Sequence, residues 1–541
     1  MPVELGRSCV RGKNGIVATS QRHAARVGAS ILSSGGNAAD AAVATAAALA
    51  VAEPCSAGLG GDCFALYYDR KSGKVTSLNG SGRSPLALSI ERLRQTGALE
   101  GNTLEPFSPH TVTVPGAAAA WLDLLDRHGS MDANSVFSPA IELADRGFEV
   151  GAITSYFWKL GAAMQLARWK DNPTDLSPNG AGPEAGEVFR NPNLAQVLGE
   201  LADGGKDAFY RGRIGAAIAD AVRAQGGWLD IDDLAAHQSE WNEPISSVHR
   251  GIRVFECPPN GQGLTALIAL NVLAALEGQK PCEPFDDRRR LHRELEALRL
   301  AFADARRYIA DPSASDLPTE ALLSSEYAAE RASLVDRERA SIEVTAGSPH
   351  SSSDTVYLAV VDADGNACSL IFSNYMGFGT GIVPAGCGFT LQNRGHNFSL
   401  ELGHANALAG GKRPYHTIIP ALGLDAESGG LRVCFGVMGG FMQPQGHLQT
   451  LRGLVCDGLD PQTIVERPRF LLDPVSAGSG VALEETFDPG VAKQLEAMGH
   501  RVRVVSGWRR SAFGRGQMIE NRDGELLGGS DPRGDGCAVA V

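Results

Sequence analysis

Residues 351–362, Ser-Ser-Ser-Asp-Thr-Val-Tyr-Leu-Ala-Val-Val-Asp, put a threonine hydroxyl where a polar run gives way to a β-branched, apolar strand. Such a junction is bland in itself, and the Thr355 hydroxyl would need a base before it could attack a carbonyl. The strand runs into Asp362-Ala363-Asp364-Gly365-Asn366, a hairpin turn signal. That turn opens like a calcium loop, yet its glycine is displaced and no glutamate stands at the twelfth position, so a hairpin is the better reading.

Other chemistries leave no trace. The chain has no G-x-x-x-x-G-K-[ST], no H-E-x-x-H and no G-x-S-x-G. The glycine clusters at 58–61 and 377–381 lack the spacing of a dinucleotide fingerprint. Twelve histidines are scattered, and only His416 and His447 attract interest. Ten cysteines stand at 9, 55, 63, 257, 282, 368, 387, 434, 456 and 537, none in a C-x-x-C. They read as buried free thiols in a reducing compartment. No metal or organic cofactor is expected.

The elements that must hold Thr355 come in two kinds. Residues 16–19 and 63–68 read as strands, with helices at 21–33 and 38–52 between them. The second helix is almost wholly Ala and Val, which lets it lie close against a sheet. Residues 110–300 read as largely helical, with candidates at 117–128, 140–146, 192–201, 214–225, 263–276 and 288–311. Residues 312–353 lose apolar periodicity and read as an exposed connector open to processing. Beyond it, strands are expected at 355–361, 367–372, 388–391, 431–436 and 502–505, with helices near 443–454 and 490–498. The pattern predicts an α+β fold.

With 541 residues, 43% hydrophobic content and 21% charge, the chain is long enough for a large core and has a globular composition. A net charge of −13 without a basic cluster argues against nucleic acid and anionic membranes as partners. The start lacks the apolar core of a secretory signal, and the longest uncharged apolar run, 41–52, is too short to span a bilayer. A cytoplasmic location is the expectation.

Five blocks in order resemble the gamma-glutamyltransferase family of N-terminal-nucleophile hydrolases over nearly the whole chain. They are Gly35-Gly36-Asn37-Ala38-Ala39-Asp40 with Gly58-Leu59-Gly60-Gly61-Asp62; Phe209-Tyr210-Arg211-Gly212 with Pro258-Pro259-Asn260-Gly261; Asp354-Thr355-Val356-Tyr357 through Asn366; Gly411-Lys412-Arg413-Pro414; and Met438-Gly439-Gly440. The resemblance implies a four-layer αββα sandwich and a proenzyme that cuts itself between Asp354 and Thr355. A large chain, 1–354, and a small chain, 355–541, would stay associated as one catalytic unit. Cleavage would free an α-amino group with an ordinary pKa of about 7.7–8.0 in the same residue as the hydroxyl, supplying the missing base. The family pattern assigns Ser373 to orient Thr355. It assigns the backbone N–H groups of Gly439 and Gly440 to the oxyanion hole, where residues without side chains let a substrate approach closely.

The glutamyl-binding set departs from the family. Its carboxylate-clamping arginine falls on Ser81, with Arg83 two residues away as a possible substitute. Its acidic residue falls on Asn397, its glutamine on Arg394, its serine pair on His416-Thr417, and an asparagine on Tyr375. The site thus loses an anion and gains a cation, which disfavours a substrate α-ammonium and favours a carboxylate. Residues 391–395, 411–417 and 443–447 resemble the branch containing oxamate amidohydrolases and glutaryl-cephalosporanic acid acylases. The expected activity is hydrolysis of an amide whose small acyl group bears a carboxylate, held by Arg394, His416 and Asn397. Alternatives are a gamma-glutamyl hydrolase or transferase acting on glutathione, and an uncleaved binding homologue.

Overall fold

The computed structural model describes residues 6–99, 103–173, 175–341, 355–472 and 480–541. Two seven-stranded sheets lie face to face. In the first, Cys537–Ala540, Gly15–Thr19, Val356–Asp362, Ala367–Ser373, Asp62–Asp69, Lys74–Gly80 and Glu240–Asn242 follow one another. In the second the order is Val10–Gly12, Glu525–Ser530, Arg515–Arg522, Leu431–Met438, Ala421–Asp425, Ile252–Glu256 and Ile245–His249. Both sheets are antiparallel throughout.

Strand alternation divides the core into three. Ile16, Phe64, Leu66, Tyr357, Ile371, Leu422 and Cys434 meet between the sheets. Cys63, Ala65, Leu358, Val360 and Leu370 face the other way, onto helices Ala38–Ala52 and Ala117–His128. Helices Gly263–Glu277 and Met442–Val455 cover the far side of the second sheet. The result is the expected four-layer αββα sandwich. Ala38–Ala52 is buried at every residue, as its small side chains allow. Its start is fixed by a reciprocal cap in which Asn37 Oδ1 accepts from Asp40 N–H and Asp40 accepts from Asn37 N–H.

Several expectations are corrected. The largely helical middle contributes strands Glu240–Asn242, Ile245–His249 and Ile252–Glu256 to the sheet edges. Residues 388–391 form no strand; Gln392 N–H reaches Gly60 O and Leu391 N–H reaches Ile382 O instead of a ladder. The connector holds helices Thr319–Leu322 and Ser325–Ser333, the second tied down by an Arg331–Asp304 ion pair. Cys282 and Cys456 are not free thiols but a disulfide, formed where the ends of two packed helices bring residues 174 positions apart together. Among the described residues no helix is long and apolar enough to cross a membrane.

Candidate active site

Thr355 is fully buried at the head of strand Val356–Asp362. The hairpin pairs Val356 with Phe372, which brings Thr355 beside Ser373. Thr355 Oγ1 donates to Ser373 Oγ at 3.1 Å, and the Tyr375 N–H donates to the same oxygen at 2.8 Å. Tyr375 is buried with φ at +79°, a region that costs an aromatic residue strain and that recurs at functional sites.

Ser373 lies opposite Asp62 across the next strand pair. Asp62 is fully buried. Its Oδ1 accepts from Gly82 N–H at 2.9 Å and Gln392 Nε2 at 3.0 Å; its Oδ2 accepts from His416 Nε2 at 2.9 Å and lies 3.6 Å from Arg394 Nε. Burial pushes its carboxyl up, but the His416 hydrogen bond and the Arg394 charge outweigh burial and hold it below the usual range. His416 takes an N–H from Ile418 at Nδ1, so the ring proton sits on Nε2 and faces Asp62. Burial, then the neighbouring Arg394, lower His416 to about 4, which keeps it neutral at pH 7.

Arg394 opens the short 3-10 turn Arg394–Asn397 and is fully buried. Its guanidinium lies over the Tyr375 ring at 4.5 Å, and Nη1 donates to Thr417 Oγ1 at 2.7 Å. Burial brings its pKa down to about 10, with Asp62 opposing. Its Nη2 has no hydrogen-bond partner among the described residues, and neither has the Asn397 Nδ2. In a 3-10 turn residues three apart eclipse, so these two donors share one side.

The glycine pair enters from the second sheet. A side chain at Gly436 would strike the Tyr357 ring at 2.6 Å, and Cys434 Sγ lies 3.8 Å from the Tyr357 hydroxyl. Strand Leu431–Met438 therefore runs towards the start of Val356–Asp362, and Gly439-Gly440 follow at the end where Thr355 begins. Both glycines have positive φ, +124° and +58°. Their carbonyls are tied down: Gly439 O accepts from Met442 N–H, and Gly440 O from Gln443 N–H and Gln262 Nε2. Their N–H groups have no acceptor among the described residues. Gln262 also donates to Thr417 O at 2.6 Å and so joins the Arg394 partner to the glycine turn.

Arg83 stands apart from this constellation. It is spent on Asp311, Gly411 O, Ser313 and Glu240. Its expected part as a substitute clamp finds no support in these contacts. Ser81, at the position of the family's arginine, is buried and accepts from Asn260 Nδ2. His416 likewise has both ring nitrogens engaged by protein, so it supports Asp62 rather than offering a free donor. His447 turns to Glu256 at 2.7 Å, under the second sheet. Asp354 lies outside the described residues. Asp62, Gln262 and Gln392 were missed as site residues; Asp62 closes a quoted motif, but its meaning comes only from register with Ser373.

Two hydroxyls and a paired glycine turn set between the sheets of an αββα sandwich define an amide hydrolase of the N-terminal-nucleophile fold. The gamma-glutamyltranspeptidase family model matches residues 24–541, and the chain belongs to that family. Its fold is that of a cephalosporin acylase from Bacillus halodurans, with a TM-score of 0.91 and 42% identity over 100% of this chain and 98% of that one. It is 34% identical to the glutathione hydrolase-like YwrD proenzyme of Bacillus subtilis, over 98% of this chain and 99% of the relative. It is 31% identical to the oxamate amidohydrolase proenzyme of Klebsiella pneumoniae, over 97% and 98%.

Proposed function

We propose that this chain is a proenzyme that cleaves itself between Asp354 and Thr355 and then hydrolyses amides of a small acyl group bearing a carboxylate. The new α-amino group of Thr355 takes the proton from Oγ1, and the hydroxyl oxygen attacks the amide carbonyl. The N–H groups of Gly439 and Gly440 receive the charge that develops on the carbonyl oxygen. The α-ammonium group returns that proton to the leaving amine, water then attacks the acyl-enzyme and gives up its own proton through the same amine, and the free acid departs. Ser373 keeps Oγ1 aligned throughout.

The observation that carries the substrate class is the buried Arg394, whose Nη2 lacks a partner among the described residues while its other nitrogens face Asp62 and Thr417. A substrate carboxylate satisfies that donor, and Asn397 Nδ2 offers a second. Ser373 and Asp62 stand opposite each other in adjacent strands, which places the Thr355 and Arg394 partners close together and favours a short acyl chain. Oxamate-like and glutaryl-like acids both meet these terms.

A gamma-glutamyl hydrolase is the second reading, favoured by the similarity to a glutathione hydrolase-like protein. It requires a counter-charge for an α-ammonium, and position 397 is a neutral asparagine. Turnover of glutaryl, oxamyl and gamma-glutamyl anilides by the purified protein separates the two. The proposal expects the first pair to exceed the third by tenfold or more in kcat/KM, about 1.4 kcal/mol; the reverse order would replace it with the second reading.

A further inference from the structure

We propose that Asp62 is a positioning residue that aims the Arg394 guanidinium at the carboxylate of the acyl group. This rests on the reading of Arg394 as the carboxylate-binding cation.

Asp62 accepts three hydrogen bonds, from Gly82 and Gln392 at Oδ1 and from His416 at Oδ2, and its Oδ2 forms an ion pair with Arg394 Nε at 3.6 Å. A guanidinium is a rigid planar fork. With Nε facing Asp62 and Nη1 on Thr417, the direction of Nη2 is fixed. Because Asp62 is opposite Ser373 in the strand ladder, the same carboxylate sets the guanidinium's place relative to Thr355.

The test compares Asp62→Asn, Arg394→Met and the double variant, each as cleaved protein, on an anionic anilide that the wild type turns over and on butyryl anilide. Asp62→Asn should raise KM for the anionic anilide about tenfold or more, leave kcat within about threefold, and leave KM for butyryl anilide unchanged. In the Arg394→Met background it should have no further effect on KM. If the favoured anionic substrate is gamma-glutamyl rather than glutaryl, the proposed substrate class fails while this comparison still stands, since both carry a carboxylate. An unchanged KM in Asp62→Asn, or equal losses on both anilides that add to those of Arg394→Met, would overturn the positioning role. Should Asp62→Asn not mature, Asp62→Glu displaces the carboxylate by one methylene and carries the same comparison: a KM rise confined to the anionic anilide supports the role, and none refutes it.

Discussion

Ser373 and Asp62 stand opposite each other on neighbouring antiparallel strands, with both side chains turned into the space between the two sheets. One holds the Thr355 hydroxyl; the other holds the Arg394 guanidinium. The reacting centre and the binding centre are therefore fixed by a single rung of one ladder.

Replacing Ser373 with Ala removes the acceptor of both Thr355 Oγ1 and the Tyr375 N–H. We expect slower maturation and a kcat about 100-fold lower in the matured protein, with KM little changed. Ser373→Thr, which keeps the hydroxyl, should recover most of the loss. Steady-state kinetics on cleaved protein checks this, and an unaltered kcat in Ser373→Ala would refute the orienting role.

Gly439 has φ at +124° with Gly514 Cα 3.2 Å from where a Cβ would sit. Gly439→Ala forces that turn to shift and moves the N–H groups that would meet the oxyanion. A fall in kcat of about 10²–10³ with a small change in KM is the expected result. Equal activity would place the oxyanion donors elsewhere.

His416 is buried and lowered to about 4, half-buried His237 is also lowered to about 4, and buried His249 to about 3, in each case first by desolvation and then by a nearby arginine. The unfolded chain binds their protons below an ordinary pKa near 6.5, while the folded chain does so only near 4 or 3. Stability therefore rises with pH across this window and is lost as pH falls from about 6.5 to about 3. For His416 alone the loss approaches about 3 kcal/mol. Thermal unfolding measured from pH 7 to 4 should show a falling Tm, and His416→Gln should flatten part of that slope.

The Cys282–Cys456 disulfide joins residues on either side of the proposed cut. Matured protein should migrate as one species without reductant and as two with it. Two species in the absence of reductant would show that the bond does not form in solution.

Local pattern made much of this legible. The hairpin 355–373, the alanine-rich helix at 38–52 and the helices at 117–128 and 263–276 are written in short-range periodicity, and the structure has them nearly at those bounds. Glu240–Asn242 and Ile245–His249 were hidden because they are brief, polar edge strands; the first pairs with the distant Ser77–Asn79 and the second only with its hairpin neighbour Ile252–Glu256. Apolar residues 388–391 imitate a strand, yet they are buried by packing rather than by pairing. The disulfide and the Asp62 cluster depend on residues brought together from far apart in the chain, which no spacing rule reveals. Arg83 looked available from its distance in sequence, whereas Asp311 and Glu240 occupy it.

The central claim is that Thr355 becomes a chain terminus and attacks from there. Intact-mass spectrometry of reduced wild type and Thr355→Ala tests it. The account predicts two wild-type chains parted between residues 354 and 355, and a single inactive chain of 56.8 kDa for the variant. A wild type that hydrolyses amides as one uncut chain, or a Thr355→Ala protein cut at the same bond, would contradict it.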